Sequence, residues 1–143
     1  MKKRLICLIL PIITLILEIL PYGAVLNFML PAVDGSPAGR FRELYSYFDM
    51  MPFGYANFAP FLTAITTCII LVLLLVYLLT GKGKTITIAE GFLCVGVVLS
   101  LCPLLYGIDF FSVVGALITV TLIAELILIQ FIIKQHIKTL IIT

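Results

Sequence analysis

Aliphatic residues gather into four nearly unbroken runs along the 143-residue chain, at 5–20, 60–79, 88–105 and 110–133. Each run approaches the roughly 20 residues that a helix needs to cross about 30 Å of hydrocarbon. The second is the clearest, because no charge and no helix breaker interrupts it from Cys68 to Leu79. The pattern predicts an all-α membrane protein: a four-transmembrane-helix bundle forming a single membrane domain over 1–143. A long outer segment, 21–59, separates the first two helices.

That segment is too long for a simple connector and too apolar for a disordered one. Residues 23–30 and 40–48 read as two strands, and Asp34-Gly35-Ser36-Pro37-Ala38-Gly39 between them is dense turn chemistry. Phe41, Glu43 and Tyr45 show partial two-residue alternation. The expectation is a small extracellular β-hairpin, although residues 24–30 could instead prolong the first helix. A two-stranded hairpin is marginal alone, so it should rest on the helix ends or on a partner.

Composition supports the membrane reading. Hydrophobic residues make up 63% of the chain and charged residues 11%, against about 25% charged in soluble domains. A net charge of +2 and four cysteines without framework spacing leave no case for nucleic-acid binding or a disulfide scaffold. Alternating sides puts Lys2, Lys3, Arg4, Lys82, Lys84, Lys134 and Lys138 on one face, and Arg40 and Arg42 on the other. The positive-inside rule then predicts a multi-pass plasma-membrane protein with both termini cytoplasmic. Lys2, Lys3 and Arg4 before an apolar run also fit a signal peptide, but Glu18-Ile19-Leu20-Pro21-Tyr22 is bulky where a peptidase wants small residues. The expectation is that the first run is retained.

Pro21-Tyr22-Gly23, Pro52-Phe53-Gly54-Tyr55 and Tyr106-Gly107 mark the outer boundaries, as an aromatic belt with glycine caps would. Together with Glu18-Ile19-Leu20-Pro21-Tyr22-Gly23-Ala24, the stretch Tyr47-Phe48-Asp49-Met50-Met51-Pro52-Phe53-Gly54-Tyr55-Ala56-Asn57-Phe58 resembles small, uncharacterised multi-pass membrane proteins of Gram-positive bacteria. The resemblance implies a bacterial plasma membrane and carries no known chemistry. The layout is similar in shape to claudin-like proteins, whose Trp-rich signature is absent from this Trp-free chain.

Ionisable groups within the spans are costly there and mark candidate sites. Glu18 shares one helical stripe with Cys7, Pro11 and Thr14. Thr66 and Thr67 of the second span lie at a similar depth, so Glu18 is expected to face them. Glu125 follows Thr121 by four residues on one face, and Tyr77 falls near its level. A neutral Glu125 hydrogen-bonded to Tyr77 or to a backbone carbonyl is one reading; a proton or ion site with Glu90 is the other. Thr87-Ile88-Ala89-Glu90 also fits a capping box at the start of the third helix. Glu18, Thr14, Thr66, Thr67, Glu125, Tyr77 and Glu90 therefore form the candidate intramembrane polar site. The small-xxx-small pairs Gly96/Ser100 and Gly115/Thr119 read as helix packing.

Catalysis has little to draw on. The lone His136 lies among Lys134 and Lys138, and Cys-x-x-Cys, phosphate loops and metal-ligand spacings are absent. The sequence points to a non-enzyme without cofactor or metal, in contact with the lipid bilayer and with a membrane-protein partner or further copies of itself. An accessory or interaction protein is the first expectation. The alternative is a small oligomeric transporter coupled to protons or ions through Glu18, Glu125 or both, similar to small multidrug exporters in helix count and in a first-helix glutamate.

Overall fold

A computed structural model describes residues 6–31, 39–50 and 57–142, with backbone alone for 136–142. Helix α1, Ile9–Ile19, is entered through a 3-10 turn at Ile6–Leu8. Strands β1 (Ala24–Leu30) and β2 (Gly39–Tyr45) follow, then α2 (Ala59–Thr80) and α3 (Gly83–Leu101). Two 3-10 turns, Cys102–Tyr106 and Ile108–Phe110, lead into α4, Val113–Ile142. Each helix packs on the next, and α1 packs on α4 to close the ring.

Among the described residues, three helical stretches are long and apolar enough to cross a membrane: Ala59–Thr80, Gly83–Tyr106 and Val113–Gln135. The fourth, Ile6–Ile19, is apolar but shorter. Its 14 residues reach only about 21 Å at 1.5 Å per residue. The helix stops because Leu20 is extended, at ψ 137°; a residue preceding proline is pushed out of the α region, and Pro21 comes next. The outward faces of the helices, with Val72, Val98, Val120 and Ile127, are apolar and exposed, as lipid-facing surfaces are.

Two helix starts differ from expectation. α3 begins at Gly83 rather than near 88. Gly81, at φ 67°, closes α2 with its N–H donating to the Tyr77 carbonyl at 2.8 Å. This left-handed cap lets the chain turn within two residues, so Lys84 lies in the first helical turn. α4 begins at Val113 rather than 110, because Ser112 caps it: the Gly115 N–H donates to Ser112 Oγ at 2.8 Å.

The hairpin is present, and the helical alternative for 24–30 is excluded. β1 and β2 pair antiparallel from Ala24 opposite Tyr45 to Leu30 opposite Gly39, with the Phe28 and Phe41 rings 5.9 Å apart. The expected turn at 34–39 falls almost wholly outside the described residues, as does Pro52-Phe53-Gly54-Tyr55. β2 ends at Tyr45, before the expected 48, because Ser46 starts a turn of its own. The Ser46 N–H donates to Asp49 Oδ2 at 2.7 Å, and the Phe48 N–H to Ser46 Oγ at 3.0 Å.

The hairpin rests on the bundle as its marginal stability requires. Ala24 bridges to Phe111 beyond the second 3-10 turn. Arg42 Nη2 donates to the Phe111 carbonyl at 3.3 Å, and Asn27 Nδ2 to that of Asp109 at 3.4 Å. Ser112 Oγ donates to the Gly23 carbonyl at 2.6 Å. At the base, the Tyr47 N–H and Ser46 Oγ donate to the Glu18 carbonyl at 2.9 and 3.0 Å. Gly23 serves here through space rather than through φ, since a Cβ there would lie 2.8 Å from the Tyr47 ring. The hairpin thus shares one end of the bundle with Asp109, Phe111 and Ser112, opposite the Gly81-Lys82 link.

Candidate functional site

The stripe expected on α1 is real: Cys7, Pro11, Thr14 and Glu18 are all buried. It faces two buried stripes. On α2 these are Thr63, Thr66, Thr67, Ile70, Leu74 and Tyr77. On α4, Gly115, Ile118, Leu122, Glu125 and Ile129 recur every three or four residues, so Glu125 occupies a core position.

Glu18 is fully buried, and Thr67 Oγ1 donates to its Oε1 at 2.8 Å. Its Oε2 is buried without a hydrogen-bond partner. One turn deeper, Thr14 Oγ1 lies 2.9 Å from Thr121 Oγ1 and 3.0 Å from the Leu10 carbonyl. Thr121 in turn donates to the Ile118 carbonyl at 2.8 Å. A further turn along α4 is Glu125, at 0% exposure, with both carboxyl oxygens unpartnered. The three layers form a polar ladder of Glu18, Thr14 with Thr121, and Glu125.

Depths follow from the helix ends. Thr67 lies eight residues into α2, about 12 Å from its hairpin-side end. Glu18, its partner, is in the last turn of α1. The first helix therefore ends well inside the bundle, with the Tyr47 ring and the Gly23 backbone packed above it. Glu125 is 12 residues into α4, about 18 Å, near mid-span.

Other expected members separate from the ladder. Thr66 donates to its own Leu62 carbonyl at 2.7 Å, and its methyl faces Gly96; it is a packing residue. Tyr77 is buried but does not bond Glu125. Its place 18 residues into α2 sets it about 27 Å from the hairpin-side end, toward the opposite end of the bundle. Glu90 is half-exposed and forms no capping box, because α3 has already run two turns before it. Thr87 Oγ1 donates instead to the Gly83 carbonyl at 3.2 Å. Gly96 and Ser100 are buried between helices, as a packing motif should be.

Electrostatically the ladder is one-sided. Arg42, on the hairpin, is held by the Phe111 carbonyl. Glu18 also sits at a helix C-terminus, where the backbone dipole is negative and a cation is favoured. Above it, burial and then the nearby Glu18 carboxyl push the Tyr47 phenol upward. On the hairpin surface, the hydrogen bond from Tyr45 Oη to Glu43 raises that phenol. No cluster of metal-ligating residues occurs among the described residues, and the four cysteines are free thiols.

Ser46, Tyr47 and Ser112, which tie the hairpin segment to the bundle, were not among the residues expected in the site. Only Ser112 carried a local signal, a serine just before an apolar helical run. Comparison with protein-family models, curated proteins and solved structures finds no match.

Proposed function

We propose that this chain is a non-enzymatic accessory protein of a bacterial plasma membrane, whose outer hairpin is a fixed platform for a membrane-protein partner. The observation that carries this reading is the hairpin itself: it is clamped at Glu18, Gly23, Asn27 and Arg42 while leaving apolar side chains exposed. Met29, 77% exposed, and Leu44 lie on one face of the hairpin, and Leu30 and Phe41 on the other, all of them exposed. An ordered surface loses little entropy on binding, and apolar residues exposed on it offer contact area to a partner. The orientation that fits is hairpin outside, with Lys82 and Lys84 of the opposite link in the cytoplasm.

A photo-crosslinking side chain at Met29, in native membranes, tests the platform. A discrete adduct from Met29 and none from Lys84 is the expected result; equal labelling from both, or none from Met29, refutes it. Membrane-impermeant thiol reagents should reach Met29→Cys and Lys82→Cys from opposite sides in a cysteine-free background.

A second reading, a small oligomeric transporter coupled to protons or ions, is favoured by Glu125. An interaction role gives no reason for a fully buried carboxyl without a partner. Four helices rarely enclose a pathway, so this reading requires an assembly larger than one chain, and mass measurement in detergent tests it.

A further inference from the structure

Three carboxyl oxygens lie buried in the bundle without hydrogen-bond partners: Glu18 Oε2 and both oxygens of Glu125. Both side chains are at 0% exposure. We infer that Glu18 and Glu125 form a two-station site for exchangeable protons, with the Thr14 and Thr121 hydroxyls between the stations. The inference deepens the second reading and rests on its premise that these carboxyls are working groups.

Gly115, Ile118, Leu122 and Ile129 occupy the other positions of the α4 stripe, and an aliphatic residue at 125 would fill the same place. A carboxyl there makes no bond that holds helices together. Glue is therefore the role of the Thr14–Thr121 contact at 2.9 Å, and Glu125 is left to bind something small. A buried carboxylate requires a counter-charge.

Among the described residues, the titratable groups that face the pair are Tyr47 from the hairpin base, Cys68 beside Thr67 on α2, Cys7 on α1, and the two carboxyls themselves. None of these supplies positive charge. A metal ion needs a shell of oxygens, whereas Glu125 has no hydroxyl or amide bonded beside it. A proton needs a single oxygen, so it is the occupant that the chemistry fits.

The location gives the site an outlet. Glu18 lies at the end of α1, and its carbonyl holds the Tyr47 N–H and Ser46 Oγ. Loss of its proton would add negative charge to the negative end of that helix. The structure sensitive to this event is the hairpin base, so proton occupancy and hairpin docking are coupled.

The protein in lipid vesicles, treated with a hydrophobic carbodiimide, tests the site. A carboxylic acid adds across the reagent, its oxygen bonding to the central carbon and its proton passing to nitrogen. The adduct, which rearranges to a stable acylurea, therefore marks protonated carboxyls. Peptide mass spectrometry should find Glu18 and Glu125 labelled several-fold more than Glu90 or Glu43, with labelling that falls as pH rises. Glu125→Gln should lose its own label and retain that at Glu18. Absent or pH-independent labelling at both positions overturns the site, and protection by sodium at constant pH overturns the proton as its occupant. Proton flux in the same vesicles is read separately: labelling without flux refutes transport and leaves the site standing.

Discussion

Ser112 joins two structures with one hydroxyl, and its removal separates their energies. Ser112 Oγ accepts the Gly115 N–H at 2.8 Å as the cap of α4, and donates to the Gly23 carbonyl at 2.6 Å. Loss of a serine cap costs about 1 kcal/mol. A buried carbonyl left without its donor costs about 1–3 kcal/mol more. Ser112→Ala should therefore destabilise the fold by about 2–4 kcal/mol. Glycine is nearly as good a cap, within a few tenths of a kcal/mol, but donates nothing to Gly23. Ser112→Gly should thus keep the cap contribution and lose only the hairpin contact. Reversible unfolding in mixed micelles measures both variants. Proteolysis within the hairpin gives a local readout, which should rise in both, because each frees Gly23. A change below about 0.5 kcal/mol for Ser112→Ala, or an unaltered cleavage rate in Ser112→Gly, would refute the claim that this hydroxyl anchors the hairpin.

Gly23→Ala places a Cβ 2.8 Å from the Tyr47 ring and should cost about 1–3 kcal/mol through overpacking. Gly91→Ala, with open space around it, should be neutral or slightly stabilising, and thermal unfolding of the two variants side by side checks the contrast. Tyr45 holds its proton longer than an ordinary phenol because it donates to Glu43. Its bond is fully present below the ordinary phenol value of about 10 and is lost as pH rises through the raised value. In Glu43→Gln the ring signal of isotope-labelled Tyr45 should titrate at lower pH, and an unchanged titration would disprove the contact.

The parts of this fold legible in sequence are those determined by short-range pattern. An uninterrupted run from Cys68 to Leu79 can only be buried or lipid-facing helix. Turn residues at 34–39 between aromatic runs marked the strands on either side. The four-three-four spacing of Cys7, Pro11, Thr14 and Glu18 placed all four on the buried face. What escaped depends on partners distant in the chain. Pro21 ends the first helix locally, but the depth of that end depends on Ser46 and Tyr47, which bond the Glu18 carbonyl from 28 and 29 residues later. Thr87 and Glu90 matched a capping pattern, yet a left-handed Gly81 had already started the helix at Gly83. The surroundings of Glu125 depend on how α1 and α4 are rotated against each other, which local sequence does not encode.

The middle rung of the ladder can be measured directly. Thr14 Oγ1 has two acceptors within reach, the Leu10 carbonyl at 3.0 Å and Thr121 Oγ1 at 2.9 Å, while Thr121 donates to Ile118 at 2.8 Å. Each hydroxyl can thus satisfy itself on its own helix when its neighbour is removed. The interhelical bond should be worth only about 0.6 kcal/mol, the average for such bonds within membranes. A double-mutant cycle of Thr14→Val and Thr121→Val isolates that coupling. If the rung is packing with a weak bond, the coupling stays below about 1 kcal/mol, and carbodiimide labelling of Glu18 and Glu125 is unchanged. If the hydroxyls connect the two carboxyls, either single substitution slows labelling at one station while its effect on stability stays equally small. A coupling above about 2 kcal/mol would contradict both outcomes: it would mean that neither threonine is satisfied by its own helix, and that the hydrogen bonds to Leu10 and Ile118 do not hold in the membrane.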